Sequence, residues 1–207
     1  MLDLAVRDKY FYNDIKGETT VEEFLNILDR PENEGKLLEL INGNIVAMAG
    51  NANINHHRIS SHLASKIYAY LEGKQCEVFQ DMNVFLLKDK FGKFKNVFQP
   101  DIMVGCDKYK MVLSGYEGAP EFIAEIVSKS TASYDYLVKT LHYLRAGVKE
   151  YWIVDLYQNQ IVVYLNGGEE PPIVRAYTFN DRIKISIFDD LWIDFKEILK
   201  TVDLDLK

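Results

Sequence analysis

The sequence has few cysteines and no long apolar run, and each shortage excludes a class of protein. Cys76 and Cys106 are the only cysteines and form no Cys-x-x-Cys pair, so we expect reduced thiols and a cytoplasmic protein. No apolar run approaches the roughly 18 residues that span a bilayer. Residues 1–8 lack the basic-then-apolar order of a signal peptide, and we expect no membrane partner.

Zinc-ligand and nucleophile motifs are also missing. The four histidines, at positions 56, 57, 62 and 142, do not have the spacing of a zinc site. No Gly-x-Ser-x-Gly elbow is present and neither cysteine has a neighbouring histidine, which disfavours a serine or cysteine hydrolase. Lys and Arg number 24 against 31 Asp and Glu, a net charge of −7. This balance argues against nucleic-acid binding by bulk electrostatics, but a metal-dependent nuclease site is itself acidic.

Length and composition indicate one large domain covering residues 1–207. Apolar residues make up 48% of the chain, enough for a substantial core, and there is no internal repeat or linker-like segment. The predicted order is helix, hairpin, helix, strands, helix, strands. That order predicts an α/β fold with α+β character, in which helices flank a mixed central sheet and β-hairpins are added.

The individual elements follow from periodicity, capping residues and turn signals. The predicted helices are 20–28, 53–72 and 133–146. The predicted strands are a hairpin over 36–48 around Asn42-Gly43, then 76–87, 96–105, 121–127, a hairpin of 150–155 with 160–165, and a hairpin of 175–179 with 182–187. Pro100 within 96–105 indicates an edge strand, a bulge or a strand entry. Residues 191–199 are predicted to form a short strand or helix.

Two carboxylates stand in apolar, strand-like surroundings. Asp101 follows Pro100 and precedes Ile102, and Glu125 lies within the apolar run 122–127. A buried carboxylate is costly unless something positive compensates it, and hard oxygen ligands of this type suit Mg²⁺ or Mn²⁺. The alternatives are an exposed Asp at a strand edge and a salt-bridged structural Glu.

Three more charged positions have both a surface and a functional interpretation. Lys139 lies one helical turn from Asp135 and from Tyr143, off the expected apolar face of Leu137, Leu141 and Leu144. It therefore forms a solvent-exposed i,i+4 pair or borders a cleft. Glu39 alternates with leucines as a surface strand residue would. His56 is expected to point inward at the start of its helix. It is either a histidine that packs against the core or one that lies near an anionic substrate.

Taken in order, these pieces resemble the "putative restriction endonuclease" family of the PD-(D/E)XK nuclease superfamily, long known as a domain of unknown function. The resemblance covers about residues 18–200. The matching pieces are Leu38–Ile45, His56, Gln99–Ile102, Glu125–Thr131, the step from Glu125 to Lys139, and Gly147–Asp155.

The resemblance implies a restriction-endonuclease-like fold and a metal site at the end of its sheet. Asp101 and Glu125 would bind Mg²⁺, which Mn²⁺ can replace, with the Ile126 carbonyl as a third ligand. Glu39 would replace an early acidic residue of the superfamily. Further residues that would line the site are His56, Gln99, Asp135 and Tyr143.

One position departs from the superfamily pattern, which has a lysine two residues after the second acid. This chain has Val127 there, and the family that it resembles carries the lysine on the following helix, where this chain has Lys139. The implied activity is Mg²⁺-dependent endonucleolytic cleavage of DNA that leaves a 5′-phosphate.

Two further expectations concern activity and assembly. The alternative to an enzyme is a catalytically inactive scaffold or binding protein that kept the nuclease fold. By fold-level analogy, a homodimer would suit duplex DNA. Its interface would use the hairpins near the C-terminus, where Tyr157, Ile161 and Tyr164 have the pattern of exposed residues.

Overall fold

The computed structural model describes residues 18–48, 53–128 and 131–203. Its helices are α1 (Val21–Leu28), α2 (Ile54–Leu71), α3 (Thr140–Ala146) and α4 (Phe195–Leu199). A wide helical turn of π type, Tyr134–Lys139, leads directly into α3. Single 3₁₀ turns are formed by Pro31–Asn33 and Lys108–Lys110.

The strands, in chain order, are β1 (Leu38–Ile41), β2 (Asn44–Ala47), β3 (Glu77–Phe79), β4 (Val84–Lys88), β5 (Phe94–Phe98), β6 (Ile102–Gly105), β7 (Met111–Val112), β8 (Gly115–Glu117), β9 (Phe122–Ile126), β10 (Glu150–Asp155), β11 (Gln160–Leu165), β12 (Ile173–Tyr177), β13 (Arg182–Lys184) and β14 (Trp192–Asp194).

These strands form two six-stranded sheets and a small ribbon. The hairpin sheet has the order β2-β1-β5-β4-β8-β7, and the central sheet has the order β12-β11-β10-β9-β6-β3. β9 and β10 run parallel, while every other pair in the central sheet is antiparallel. Strands β13 and β14 pair separately. The predicted class, a mixed α/β fold with flanking helices, is confirmed.

The central sheet is covered on both faces, which fixes where polar groups can lie. On one face, Phe122, Ala124 and Ile126 of β9 pack with α2 and α4. On the other face, Ile123 packs against the hairpin sheet and the helix that ends at Ala146. Because side chains alternate along a strand, Glu125 projects to this second face, between the two sheets.

Local signals in the sequence account for the first two helices and the first hairpin. Thr20 and Glu23 form a reciprocal capping box at the start of α1. Asn53 caps α2 by accepting a hydrogen bond from the His56 N–H at 2.9 Å. Asn42 and Gly43 both have positive φ, 49° and 79°, as a two-residue hairpin turn requires.

Two predicted strands were wrong in the same way, because each splits between the two sheets. The 76–87 segment becomes β3 in the central sheet and β4 in the hairpin sheet, and 96–105 becomes β5 and β6. The first break lies at Asp81, which has φ of 51°, and the second lies at Pro100, which cannot donate to a ladder. Both crossings occur beside Glu125 and open a gap between the sheets there.

The predicted hairpin of 175–179 with 182–187 was also wrong. β12 pairs with β11, and β13 pairs with β14 across an intervening loop. Within the surface expected for a dimer, Ile161 is fully buried in the core and Tyr157 is 42% exposed. Ile161 is therefore not an interface residue, and dimerisation itself stays a prediction.

The helical segment 133–146 presents a different face to the core than expected. Leu137 and Leu141 are 41% and 38% exposed, whereas Asp135 and Lys139 are buried. The wide turn changes the period of this segment from the 3.6 residues on which the prediction was based. The face of this segment that packs against the core therefore includes the charged side chains of Asp135 and Lys139.

Cys76 and Cys106 form a disulfide, which differs from the reduced thiols expected. They flank the β3–β6 pair, where Glu77 lies opposite Gly105, and antiparallel pairing brings them together. The spacing of 30 residues between the two cysteines did not indicate that they lie close together. In the described ranges, every helix is too short or too polar to cross a bilayer.

A buried carboxylate away from the gap gives a test of the core. Glu150 is fully buried and accepts hydrogen bonds from Trp152 Nε1 at 2.7 Å and from the Ile187 N–H at 3.1 Å. Glu150→Ala leaves both donors without this acceptor, so we expect the free energy of unfolding to fall by about 2–4 kcal/mol in urea denaturation. Glu150→Gln keeps one acceptor oxygen and should lose less. An alanine variant as stable as wild type would contradict this assignment.

Candidate active site

A cleft of about 150 Å³ lies where the gap between the sheets meets the start of α2 and the wide turn. Its charged and titratable lining consists of His56, His57, Asp81, Asp101, Glu125, Asp135 and Lys139. The sequence-predicted site residues Gln99 and Ile126 also line it. Glu39 and Tyr143 lie directly behind it, in contact with Lys139 and Glu125.

Asp101 and Glu125 become neighbours through the pairing of β6 with β9. Ile102 lies opposite Ala124, so the residue before β6 lies beside Glu125. Asp101 Oδ2 accepts a hydrogen bond of 2.6 Å from the Ile126 N–H, which fixes the carboxylate at the cleft. Its side chain keeps 18% of its surface exposed and remains accessible to a ligand.

His56 bridges the backbone of β9 and the Asp101 carboxylate. Its Nδ1 lies 3.1 Å from the Ile126 carbonyl oxygen and its Nε2 lies 3.3 Å from Asp101 Oδ1. Burial alone lowers the pKa of His56, but the hydrogen bond and charge of Asp101, aided by the Ile126 carbonyl, outweigh it and raise the pKa. The arrangement therefore stabilises the imidazolium form more than water does around an exposed histidine.

Lys139 lies among three buried carboxylates. Its Nζ is 2.9 Å from Glu125 Oε1, 3.5 Å from Glu39 Oε1 and 3.6 Å from Asp135 Oδ1. The lysine side chain is 5% exposed and its partners are still less exposed. The surface-pair interpretation of Lys139 and Asp135 and the surface interpretation of Glu39 were therefore both wrong.

Two tyrosines donate hydrogen bonds to two of these acids. Tyr143 donates to Glu125 Oε1 at 2.7 Å, and Tyr134 donates to Glu39 Oε2 at 2.5 Å. Glu39 Oε1 also accepts from the Gln99 N–H at 3.2 Å. Tyr134 was missed by sequence reasoning. Five residues before Lys139, it would lie about 140° away from it on a regular α-helix, and only the wide turn places both inside.

Burial and mutual repulsion shift the pKa values of this cluster. Burial raises the pKa of Glu125 well above its ordinary value, opposed by the Lys139 charge. Burial also raises the pKa of Asp135 to about 6, again opposed by Lys139. Burial lowers the pKa of Lys139, but the charges of Glu125, Glu39 and Asp135 raise it well above its ordinary value.

Asp81 was another residue missed by sequence reasoning. Its backbone carbonyl accepts a hydrogen bond from Gln99 Nε2 at 2.5 Å, which ties the two sheet crossings together. Burial and the charge of Asp101 raise the pKa of Asp81, against the influence of His56 and His57. No local signal marked Asp81, because it stands within what was predicted as a continuous strand.

The donor set fits a hard divalent cation that keeps several water ligands. Asp101 and Glu125 both line the cleft, and the contacts of Glu125 with Tyr143 and Lys139 both fall on Oε1. Five carboxyl groups, those of Glu39, Asp81, Asp101, Glu125 and Asp135, lie near one ammonium and two imidazoles. The negative charge that these acids carry when ionised is one that a cation would offset. Among residues 18–48, 53–128 and 131–203, no group of three or more His, Cys, Asp or Glu side chains has the arrangement of a metal site.

Three comparisons relate this chain to known proteins. The family model "Uma2: Putative restriction endonuclease" matches residues 21–196. The uncharacterized protein slr1290 of Synechocystis sp. is 26% identical over 165 residues, which cover 79% of this chain and 83% of that protein. The crystal structure of a "putative nuclease belonging to DUF820" from Anabaena variabilis superposes with a TM-score of 0.70 at 19% identity. That superposition covers 89% of this chain and 99% of the other, and it shows a shared fold.

The shifted pKa of Asp135 predicts how stability depends on pH. The folded pKa of about 6 exceeds the ordinary value of 3.8, so the folded protein retains a proton there that the unfolded chain loses. This contribution is fully present below about pH 4 and is lost as the pH rises through about 6. In Asp135→Asn we expect this part of the pH dependence, up to about 3 kcal/mol, to disappear.

Urea denaturation between pH 4 and 8 in the presence of a chelator measures this effect. Asp189→Asn, a change of an exposed acid, serves as the matched control. Equal pH slopes for wild type and Asp135→Asn would contradict the prediction.

Proposed function

Because this chain belongs to the Uma2 family, described as putative restriction endonucleases, we propose that it is a metal-dependent endonuclease that hydrolyses phosphodiester bonds of DNA. The observation that carries this proposal is the convergence of Asp101, Glu125 and Lys139 around one cleft. These residues come from the position just before β6, from β9 and from the wide turn, which lie far apart in the sequence. The family membership supports a nuclease, and the cleft supports the metal-dependent form.

Asp101 and Glu125 are the side chains that would hold Mg²⁺, or Mn²⁺ in its place. Bound there, the cation would polarise a phosphodiester and lower the pKa of a water molecule. The hydrogen bonds of Asp101 to the Ile126 N–H and to His56 orient its carboxylate before any ligand binds. Such support of a metal ligand by its neighbours is a general requirement of metal sites.

Lys139 contributes a positive charge to the cleft without needing the cation. Its ammonium, 2.9 Å from Glu125, offsets part of the cost of burying that carboxylate. The same ammonium lines the cleft, where it would stabilise negative charge that develops on phosphoryl oxygens. Glu39 behind the cleft and Asp135 in its lining also hold the ammonium, at 3.5 Å and 3.6 Å.

Isosteric removal of the two acids tests the proposal. We expect Asp101→Asn and Glu125→Gln each to lower Mg²⁺-dependent cleavage of plasmid DNA about a hundredfold or more, because each removes a negative ligand of the cation. Analysis of the product ends should show 5′-phosphates in wild type. Glu77→Gln, which changes an exposed acid of β3, is the matched control. Folded variants that cleave at the wild-type rate would contradict the proposal.

Metal binding is measured separately from cleavage. We expect isothermal titration with Mn²⁺ to show binding by wild type and Glu77→Gln, and loss of that binding in the Asp101→Asn/Glu125→Gln double variant. The physical reason is that the double variant lacks both anionic ligands of the cleft. Identical titrations for all three proteins would instead favour the inactive scaffold.

A further inference from the structure

The wide turn over Tyr134–Lys139 is the element that brings Asp135 and Lys139 to the cleft together with Tyr134. Hydrogen bonding of π type is rarer than α-helical bonding and appears mostly as single turns, often at functional sites. Such a turn persists where surrounding groups hold it. The residues that hold this one are found behind the cleft rather than in it.

Two side-chain hydroxyl groups converge on the backbone of this turn. The carbonyl oxygen of Asp135 accepts hydrogen bonds from Thr140 Oγ1 at 3.1 Å and from the Tyr151 hydroxyl at 3.2 Å. Both donors are buried, Tyr151 completely. The carbonyl belongs to Asp135, whose carboxylate contacts Lys139. These two hydrogen bonds therefore hold the backbone of a residue that itself binds the ammonium.

The two donors tie the turn to different parts of the fold. Thr140 is the first residue of α3. Tyr151 lies on β10 opposite Ile123 of β9, on the strand next to the one that carries Glu125. The Tyr151 ring is itself fixed, because Tyr143 packs edge-on against it with centroids 5.0 Å apart. The Tyr151 hydroxyl therefore links the turn to the sheet at a set distance.

We propose that Thr140 and Tyr151 are positioning residues, whose hydroxyl groups hold the wide turn so that the Lys139 ammonium meets Glu125. Without these donors the turn relaxes towards α-helical geometry. A change of register by one residue rotates a side chain by about 100° and moves it about 1.5 Å along the axis. That displacement separates the ammonium from Glu125. The catalytic consequence rests on the proposed nuclease function, whereas the placement of the lysine does not.

The variants separate the hydroxyl groups from the bulk of the side chains. Thr140→Val and Tyr151→Phe remove one hydroxyl each, and the double variant removes both. Thr140→Ser loses the methyl group but keeps the hydroxyl, so it is the rescue variant. Tyr136→Phe is the matched control, because the Tyr136 hydroxyl lies in the same turn but bonds to Asp155 at 3.2 Å and not to Asp135.

The first measurement is steady-state cleavage of DNA. In the double variant we expect kcat to fall about ten- to a hundredfold, as misplacement of a catalytic group by about 1 Å commonly causes, with KM for DNA unchanged. Thr140→Ser and Tyr136→Phe should keep the wild-type kcat. A purely structural role would instead make Thr140→Ser lose activity in proportion to its lost stability.

The second measurement does not depend on cleavage. Acylation of lysines by an amine-reactive ester, followed by peptide mass spectrometry, reports the accessibility of Lys139 relative to Lys149, whose side chain is 62% exposed. In the double variant we expect the relative labelling rate of Lys139 to rise about tenfold or more, with no change in Tyr136→Phe. Labelling is done well below the unfolding temperature of every variant.

The outcomes distinguish this inference from the proposed function. A wild-type protein that cleaves no nucleic acid ends the nuclease proposal, and the labelling rates alone then decide the positioning role. Unchanged labelling of Lys139 in the double variant overturns the inference, whatever happens to kcat. So does a Thr140→Ser variant that behaves like Thr140→Val, because the hydroxyl group would then be irrelevant.

Discussion

The contact between the Lys139 ammonium and Glu125, 2.9 Å long and shielded from water, is the interaction on which the rest of the site depends. Moving a carboxylate out of water costs several kcal/mol unless a charge and hydrogen bonds replace the solvent. Here one ammonium serves Glu125, Glu39 and Asp135 at once. If the ammonium were displaced, each of the three acids would lose its ion pair with Lys139, so the position of Lys139 is under a strong constraint.

That constraint also explains why the fold and the site cannot be separated. Glu39 comes from the hairpin sheet, Glu125 from the central sheet and Asp135 from the wide turn. The Lys139 ammonium therefore links three parts of the structure: the hairpin sheet, the central sheet and the wide turn. The crossings of the chain between the sheets lie beside this point and leave a space in which the Asp101 side chain remains partly exposed. At the cleft the two sheets are joined by charged contacts, whereas apolar side chains pack between them elsewhere.

Sequence reasoning succeeded where a local rule governs and failed where tertiary contacts override it. Asp101 and Glu125 stood out because their neighbours are apolar, and the pairing of β6 with β9 brings them together, while their role as metal ligands stays a prediction. The cap of α1 is a local signal. The crossing at Asp81 was missed because two strands in different sheets have the same apolar pattern as one long strand. Pro100 indicated an edge, a bulge or a strand entry, but not that the chain passes there from one sheet to the other. The face of the helix was assigned wrongly because leucines at regular α-helical spacing are ordinarily buried. Here buried charges occupy the inner face and Leu137 is exposed.

The absence of a lysine two residues after Glu125 has a geometric explanation. Residue 127 would project from the same face of the sheet as Glu125, since alternate residues of a strand share a face. Val127 takes that place and is buried with Tyr143 in the core between the sheets. Lys139 approaches Glu125 on this face from the helix. A lysine from strand or helix can thus serve the same carboxylate, and the helical route leaves residue 127 available for apolar packing. The helical route also makes the position of the Lys139 ammonium depend on the geometry of the wide turn. This dependence explains why the hydroxyl groups of Thr140 and Tyr151, which lie outside the cleft, matter to the position of the ammonium.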